Sequence, residues 1–115
     1  MDDAVPSEIR LRTQSRVLTV QFDPNETYEL PFEYLRVNSP SAEVQGHGPG
    51  QKVLVRDKHD VRITAVEPVG HYAVKLVFDD GHDTGLYTWR YLRELGKERE
   101  ARWAEYQRQV RETAA

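Results

Sequence analysis

Short runs of alternating apolar and polar residues mark the first part of the chain. In residues 17–22 the apolar residues Leu18, Val20 and Phe22 share one face, which is the period of two that a β-strand imposes. Residues 9–12 carry a shorter version of the same pattern, and a polar turn separates the two stretches. The pattern therefore predicts an antiparallel hairpin with one buried face.

The pattern changes after this hairpin. Residues 28–30 continue the sheet, and Pro31 predicts the start of a helical turn through residues 32–35, because proline suits the first position of a helix. Residues 38–51 are rich in serine, proline and glycine, which predicts a loop on the surface. Loops of this length are often functional.

The clearest hairpin signal lies in the second half of the chain. Asp80-Gly81 is the kind of dipeptide that a two-residue turn with positive φ favours, and it sets Asp79 opposite His82. A further strand, predicted over residues 62–67, completes an antiparallel meander. The register gives the central strand an apolar face that belongs to the core, made of Tyr72, Val74, Leu76 and Phe78.

Helical spacing replaces alternation after Trp89. The apolar residues recur at intervals near 3.6, as Leu92, Leu95, Trp103, Tyr106 and Val110. Gly96 predicts either a cap that ends a first helix at Leu95 or a weak point in one long helix, and we favour the break. The expected fold is α+β: a small antiparallel meander, a short helix before the 38–51 loop, and one or two C-terminal helices.

Composition places this pattern in a single small domain. The chain has 115 residues, no cysteine and a net charge of -3, so a disulfide framework or a thiolate metal site is excluded. We predict a domain over residues 1–96 and a charged helical extension over 97–115. The first nine residues carry acids and no apolar run, so we expect a cytoplasmic protein without membrane contact. The acidic balance and the lack of aromatics among the basic residues argue against nucleic-acid binding.

Candidate chemistry is sparse. The four histidines form no metal-binding motif, and no serine lies in a nucleophile motif, so the sequence predicts no enzymatic activity. His82 follows two acids at a hairpin tip and precedes Asp83, while glycines flank His47 in the loop. These residues define an alternative in which His82, His47 and Asp83 bind iron or zinc.

Two stretches together carry a family resemblance. Residues 34–48 read Tyr-Leu-Arg-Val-Asn-Ser-Pro-Ser-Ala-Glu-Val-Gln-Gly-His-Gly, and residues 78–89 read Phe-Asp-Asp-Gly-His-Asp-Thr-Gly-Leu-Tyr-Thr-Trp. In this order they resemble the gamma-butyrobetaine hydroxylase-like N-terminal domain, also called domain of unknown function 971. The resemblance runs from about residue 10 to residue 96.

The resemblance implies a zinc site that this chain has lost. In the hydroxylases, the module binds structural zinc through three cysteines and one histidine. The positions matching the cysteines are Ser39, Ser41 and Val44, and the histidine matches His82. Hydroxyls are poor zinc ligands and valine has no donor atom, so we expect no bound metal or other cofactor. The oxygenase activity belongs to a separate domain and does not transfer.

The resemblance also suggests a role. The same module occurs attached to P-loop ATPases that resemble iron-sulfur cluster carriers. We therefore expect a non-enzymatic adapter that binds another protein, for example such an ATPase, in iron-sulfur cluster assembly or beside an oxygenase. The predicted contact regions are the 38–51 loop and the tip at residues 79–83. Within and near them, the predicted partner-binding residues are Gln45, His47, His82 and Trp89.

Overall fold

A computed structural model of the protein, describing residues 4–45 and 53–113, has the predicted α+β fold. Six strands and four helices occupy these residues. In chain order they are β1 (Glu8–Arg12), β2 (Val17–Asp23), β3 (Glu26–Pro31), α1 (Phe32–Val37), α2 (Ala42–Gln45), β4 (Ile63–Val69), β5 (Ala73–Phe78), β6 (Leu86–Thr88), α3 (Trp89–Lys97) and α4 (Arg99–Thr113).

The strands form two antiparallel sheets, each a three-stranded meander in which sequence neighbours pair. In the first sheet β2 is central, and Leu18 faces Leu11 on one side and Leu30 on the other. In the second sheet β5 is central, and Val74 faces Tyr87. The apolar faces of both sheets contribute to one shared core, so the two meanders stabilise each other.

Helices α1 and α3 complete the core, and hydrogen bonds from two buried tyrosines connect α1 to α3 and to β6. The Tyr34 hydroxyl in α1 donates to the Leu95 carbonyl in α3 at 2.6 Å. The Tyr87 hydroxyl in β6 donates to the Leu35 carbonyl in α1 at 2.7 Å. A buried hydroxyl is costly without a partner, so these bonds allow both aromatic rings to fill the core. The helix predicted to start at Pro31 begins one residue later, at Phe32, and Pro31 is its N-cap.

The hairpin between β5 and β6 turns differently from the prediction. The Gly81 amide donates to the Phe78 carbonyl at 3.3 Å, and the Phe78 amide donates to the His82 carbonyl at 3.0 Å. Gly81 has φ +91°, while Asp80 has no positive φ, which is the pattern of a three-residue turn. Phe78, not Asp79, therefore faces His82. This one-residue difference from the predicted pairing does not continue beyond the residues after His82. Farther along the hairpin, Val74 faces Tyr87 as predicted.

Two other predictions about the core need correction. Tyr72 was expected in the core but is 54% exposed, because it precedes the first residue of β5. Gly96 was expected to cap a helix but lies inside α3. A side-chain carbon at Gly96 would lie 2.3 Å from the ring of Tyr28. Glycine is thus required there because α3 packs directly on that ring.

The C-terminal segment forms two helices, as predicted, but the break between α3 and α4 lies at Glu98 and not at Gly96. Helix α4 has no buried residue, yet it contacts the domain. The ring of Trp103 packs edge-on against Tyr34, and the Tyr106 hydroxyl donates to the Val55 carbonyl at 2.7 Å. Neither α4 nor any other helix in the described part of the chain has the length and apolar character to cross a membrane.

Candidate functional site

Two of the predicted partner-binding residues, His82 and Trp89, lie at opposite ends of β5. His82 follows the end of the strand, where its carbonyl accepts from Phe78. Trp89 lies beside the start, where its amide donates to the Tyr72 carbonyl at 3.1 Å. Six residues of strand separate the two ends, which is a distance of about 20 Å. The structure therefore divides the predicted site into two regions.

The first region, which we call the His82 cluster, is a hydrogen-bonded set of polar side chains, of which those of Ser39, Ser41 and His82 are buried. Its members are Ser39, Ser41, Glu43, His82 and Thr84. Imidazole Nε2 of His82 lies 2.8 Å from the Ser39 hydroxyl, and Nδ1 lies 3.1 Å from a Glu43 carboxylate oxygen. The Thr84 hydroxyl lies 2.7 Å from the Ser41 hydroxyl and donates to the other Glu43 oxygen at 3.1 Å.

The start of the 38–51 segment is folded into the protein, which corrects the prediction of a surface loop. Asn38, Ser39 and Ser41 are buried, and residues 42–45 form helix α2. The Ser41 hydroxyl accepts from the Glu43 amide at 3.2 Å, as a helix-capping serine does. The signal that could have revealed α2 is this serine with an acid in the first turn. Residues 46–52, and with them His47, lie outside the described residues.

His82 is buried because the turn before it is one residue longer than predicted. Side chains along a strand point alternately to the two faces of the sheet. A shift of one residue in the pairing therefore moves a side chain from one face to the other. Facing Phe78 instead of Asp79, the imidazole lies 6.0 Å from the Phe78 ring, measured between centroids. Its side chain is only 2% exposed. In this arrangement, the His82 side chain lies beneath the protein surface and is not part of it.

Asp80 connects the hairpin turn to two neighbouring segments, a role that the sequence did not reveal. Its carboxylate accepts from Lys58 at 2.7 Å, from Arg36 at 2.9 Å and from the His82 amide at 3.1 Å. Burial raises the pKa of Asp80, but these hydrogen bonds outweigh it and lower the pKa to about 2. The turn acid is thus a structural ion-pair partner.

The order Ser39, His82, Glu43 matches the relative positions of nucleophile, base and acid in serine hydrolases. The sequence had offered no base for any serine, so this pairing is a finding of the structure. Ser39 is nevertheless 0% exposed. A nucleophile must reach its substrate, and this hydroxyl contacts only the protein interior. The cluster therefore stabilises the fold.

The cluster also does not fit the zinc that the resemblance implies. Ser39 and Ser41 offer hydroxyls, Val44 offers no donor, and both ring nitrogens of His82 already face protein oxygens. Among residues 4–45 and 53–113, no three histidines or acids converge into a set that could hold a metal ion. Asp83 is exposed beside the cluster and His47 lies outside the described residues.

The second region, which we call the Trp89 surface, combines exposed apolar side chains with polar ones. Its members are Val5, His71, Tyr72, Trp89 and Arg90, which line a concavity of about 300 Å³ with Ala4 and Thr88. Val5 is 59% exposed and Tyr72 is 54% exposed. The Trp89 indole is half-buried and donates to the His71 carbonyl at 2.8 Å, so its position is held. Partial exposure of Trp89 is as predicted.

Gln45, the remaining predicted partner-binding residue, lies near the His82 cluster. It is half-buried, and its side-chain amide donates to the Ser39 carbonyl at 2.7 Å. Sequence reasoning missed Tyr72 as part of an exposed surface. It was assigned to the core by alternation alone, and no local signal marks the position at which the strand begins.

Comparisons with known proteins match this fold to solved structures. One NMR structure is 48% identical over 96% of this chain and 87% of its own, with a TM-score of 0.84. A second is 47% identical over 99% and 85%, also with a TM-score of 0.84. A crystal structure of a protein of unknown function from Acidithiobacillus ferrooxidans, assigned to family DUF971, is 43% identical over 84% and 97%, with a TM-score of 0.68.

The search of curated proteins finds no match. The family model described as gamma-butyrobetaine hydroxylase-like, N-terminal, matches residues 9–93, which include both sheets, apart from Glu8, and the first five residues of α3. This match and the identity to the DUF971 structure confirm the resemblance found in the sequence. The chain belongs to the gamma-butyrobetaine hydroxylase-like N-terminal family, a family of unknown function.

Proposed function

We propose that this chain is a non-enzymatic module that binds another protein through the Trp89 surface. The observation that carries the proposal is the pair of large apolar side chains left exposed beside Trp89. Val5 and Tyr72 are each more than half exposed and line one concavity with it. Exposed apolar patches with a polar rim are typical of protein contact sites, and tyrosine and tryptophan are enriched at their centres.

The rigidity of this surface supports the proposal. The Trp89 indole is held by the His71 carbonyl, and its backbone amide is bonded to Tyr72. Thr88 caps helix α3 by accepting from the Tyr91 amide at 3.1 Å. Side chains fixed before binding lose less conformational entropy on association, so a preformed aromatic surface favours affinity.

The stem of the 38–51 segment and the turn at residues 79–83 form a second candidate contact region. Glu43 and Asp83 are exposed there, and Gln45 is half-buried. Most of their polar neighbours are already bonded within the protein, which leaves fewer groups for a partner. The Trp89 surface is therefore the favoured contact site.

The classes of partner to test first come from the family resemblance. They are a P-loop ATPase of the iron-sulfur carrier type and an oxygenase. A role in cluster assembly or oxygenase function would then follow from the partner, since the module itself contributes binding.

Photocrosslinking in cells tests the proposal. A photoreactive phenylalanine analogue placed at Tyr72 should crosslink to a single partner protein. The same analogue at Thr27, an exposed residue of β3 on the other sheet, should not. A third variant at Gln45 distinguishes the two candidate regions. Crosslinks from Gln45 but not from Tyr72 would move the contact to the second candidate region, and none from either position would contradict the proposal.

A further inference from the structure

We infer that the His82 cluster is a metal-free clasp, in which hydrogen bonds from Ser39 through His82 to Glu43 join residues 38–45 to the hairpin after β5. The family resemblance implies a zinc ion at this position, and the residues present do not fit one. The clasp connects residues 38–45 and the hairpin, the two segments that carry the positions matching the zinc ligands, with side chains alone. Its existence does not depend on whether the chain binds a partner.

The direction of each hydrogen bond follows from the chemistry of the groups. An ionised carboxylate only accepts, so the nitrogen that faces Glu43 at 3.1 Å, Nδ1, must carry a proton. In the neutral imidazole, Nε2 then has a free lone pair. The Ser39 hydroxyl at 2.8 Å therefore donates to it. The same oxygen accepts from the Ser41 amide at 3.2 Å, so the buried hydroxyl is satisfied in both directions.

A second path of bonds runs beside the first. Thr84 donates to the other Glu43 oxygen at 3.1 Å, which leaves its own oxygen to accept from the Ser41 hydroxyl at 2.7 Å. Glu43 thus receives one donor from the imidazole and one from Thr84, both on the hairpin side. Two separate bonds to one carboxylate hold the segments together more firmly than either would alone.

The packing leaves no place for an ion between Ser39 and His82. The hydroxyl and Nε2 are in direct hydrogen-bond contact, and a side-chain carbon at Gly85 would lie 2.6 Å from the same hydroxyl. Glycine at this position lets the hairpin backbone approach Ser39. The clasp therefore depends on a close contact where a metal site would need space for the ion and its ligands.

The clasp also holds the two positions on either side of residues 46–52. Gln45 donates to the Ser39 carbonyl, and the Val53 amide donates to the Val44 carbonyl at 2.7 Å. Val44 and Val53, on either side of residues 46–52, are therefore adjacent. Val44 belongs to the segment, residues 38–45, that the clasp holds against the hairpin, and Val53 is bonded to it.

Nitrogen NMR of the imidazole tests the clasp without requiring an unstable variant. Spectra recorded at a pH at which the imidazole carries a single proton report which nitrogen holds it. We expect His82 in the Nδ1–H form alone. In Glu43→Ala, which removes a side chain that is 61% exposed, we expect a mixture with the Nε2–H form. A wild-type ring in the Nε2–H form, or a tautomer unaffected by Glu43→Ala, would overturn the inference.

Thermal melting and elemental analysis supply the second test. Ser39→Ala should lower Tm by roughly 5 °C, because it leaves Nε2 of His82 buried without a donor. The matched control Ser15→Ala, at an exposed turn position, should leave Tm unchanged. Purified protein should contain no stoichiometric metal, and a chelator should not shift Tm. One metal ion per chain, a chelator-sensitive Tm, or equal effects of the two serine variants would contradict a metal-free clasp.

Discussion

The two ends of strand β5 use their side chains in opposite ways. At the end beyond Phe78, polar groups are buried and bonded to one another, and His82 is 2% exposed. At the end before Ala73, apolar groups remain in solvent, and Tyr72 is 54% exposed. Histidine and serine are often assumed to act in function, and apolar residues in the core. In this domain, burial reverses that assignment, because the polar end is bonded within the protein and the apolar end remains exposed, where we propose that a partner binds.

Adding one methyl group should disrupt the polar end most strongly. Gly85→Ala places a carbon 2.6 Å from the Ser39 hydroxyl and 3.2 Å from the Tyr87 ring. Overpacking of this kind costs on the order of 1–3 kcal/mol, and we expect the upper part of that range because Tyr87 is fully buried. Urea unfolding measures the loss.

Gly81→Ala is the control for Gly85→Ala, because it adds the same methyl group at the other glycine of this hairpin. No atom lies within 4 Å of the added carbon at Gly81, but φ is +91°. Its cost is backbone strain alone, on the order of 1 kcal/mol. Equal losses for the two variants would show that the contact between Gly85 and Ser39 does not matter.

Acid should weaken the polar end through Asp80. Its pKa is lowered from 3.8 to about 2 in the folded protein, so the stability that it contributes is fully present above pH 3.8 and is lost as pH falls toward 2. In Asp80→Asn, Tm should start several degrees lower and decline less steeply over this pH range.

Glu26 provides a control at a distance from the clasp. Its hydrogen bond from Arg93 lowers its pKa from 4.5 to about 2, so Glu26→Gln should also flatten the acid decline. The effects of the two variants should add, because their side chains share no partner. A wild-type Tm that does not fall between pH 4.5 and 2 would contradict both ion pairs.

Removing helix α4 should have a smaller effect. A chain that ends after Glu98 keeps every fully buried residue but loses the Tyr106 bond to Val55 and the Arg102 bond to Asn38 at 3.2 Å. We expect a cooperative transition with a free energy of unfolding lower by about 1–2 kcal/mol. Circular dichroism during heating checks it, and loss of cooperative unfolding would show that Trp103 is part of the core.

The core of the second sheet could be predicted, but the exact face of each turn residue could not. Alternation identified Val74, Leu76 and Phe78 because a half-buried strand leaves a strong local pattern. His82 was placed wrongly because Asp80-Gly81 is compatible with turns of two or three residues, and the choice reverses the face. Burial of Ser39 depends on the hairpin, more than forty positions away in the chain. Such a contact leaves no local periodicity.

The most direct test of this division of roles measures stability and binding in the same two variants. The partner crosslinked at Tyr72 would be titrated by calorimetry against wild type, Tyr72→Ser and His82→Gln, and Tm would be recorded for each. We expect Tyr72→Ser to keep Tm within about 2 °C and to weaken binding about tenfold or more. His82→Gln should lower Tm by roughly 5 °C, while the folded protein keeps wild-type affinity. The reverse result, with binding lost in His82→Gln and retained in Tyr72→Ser, would contradict the account.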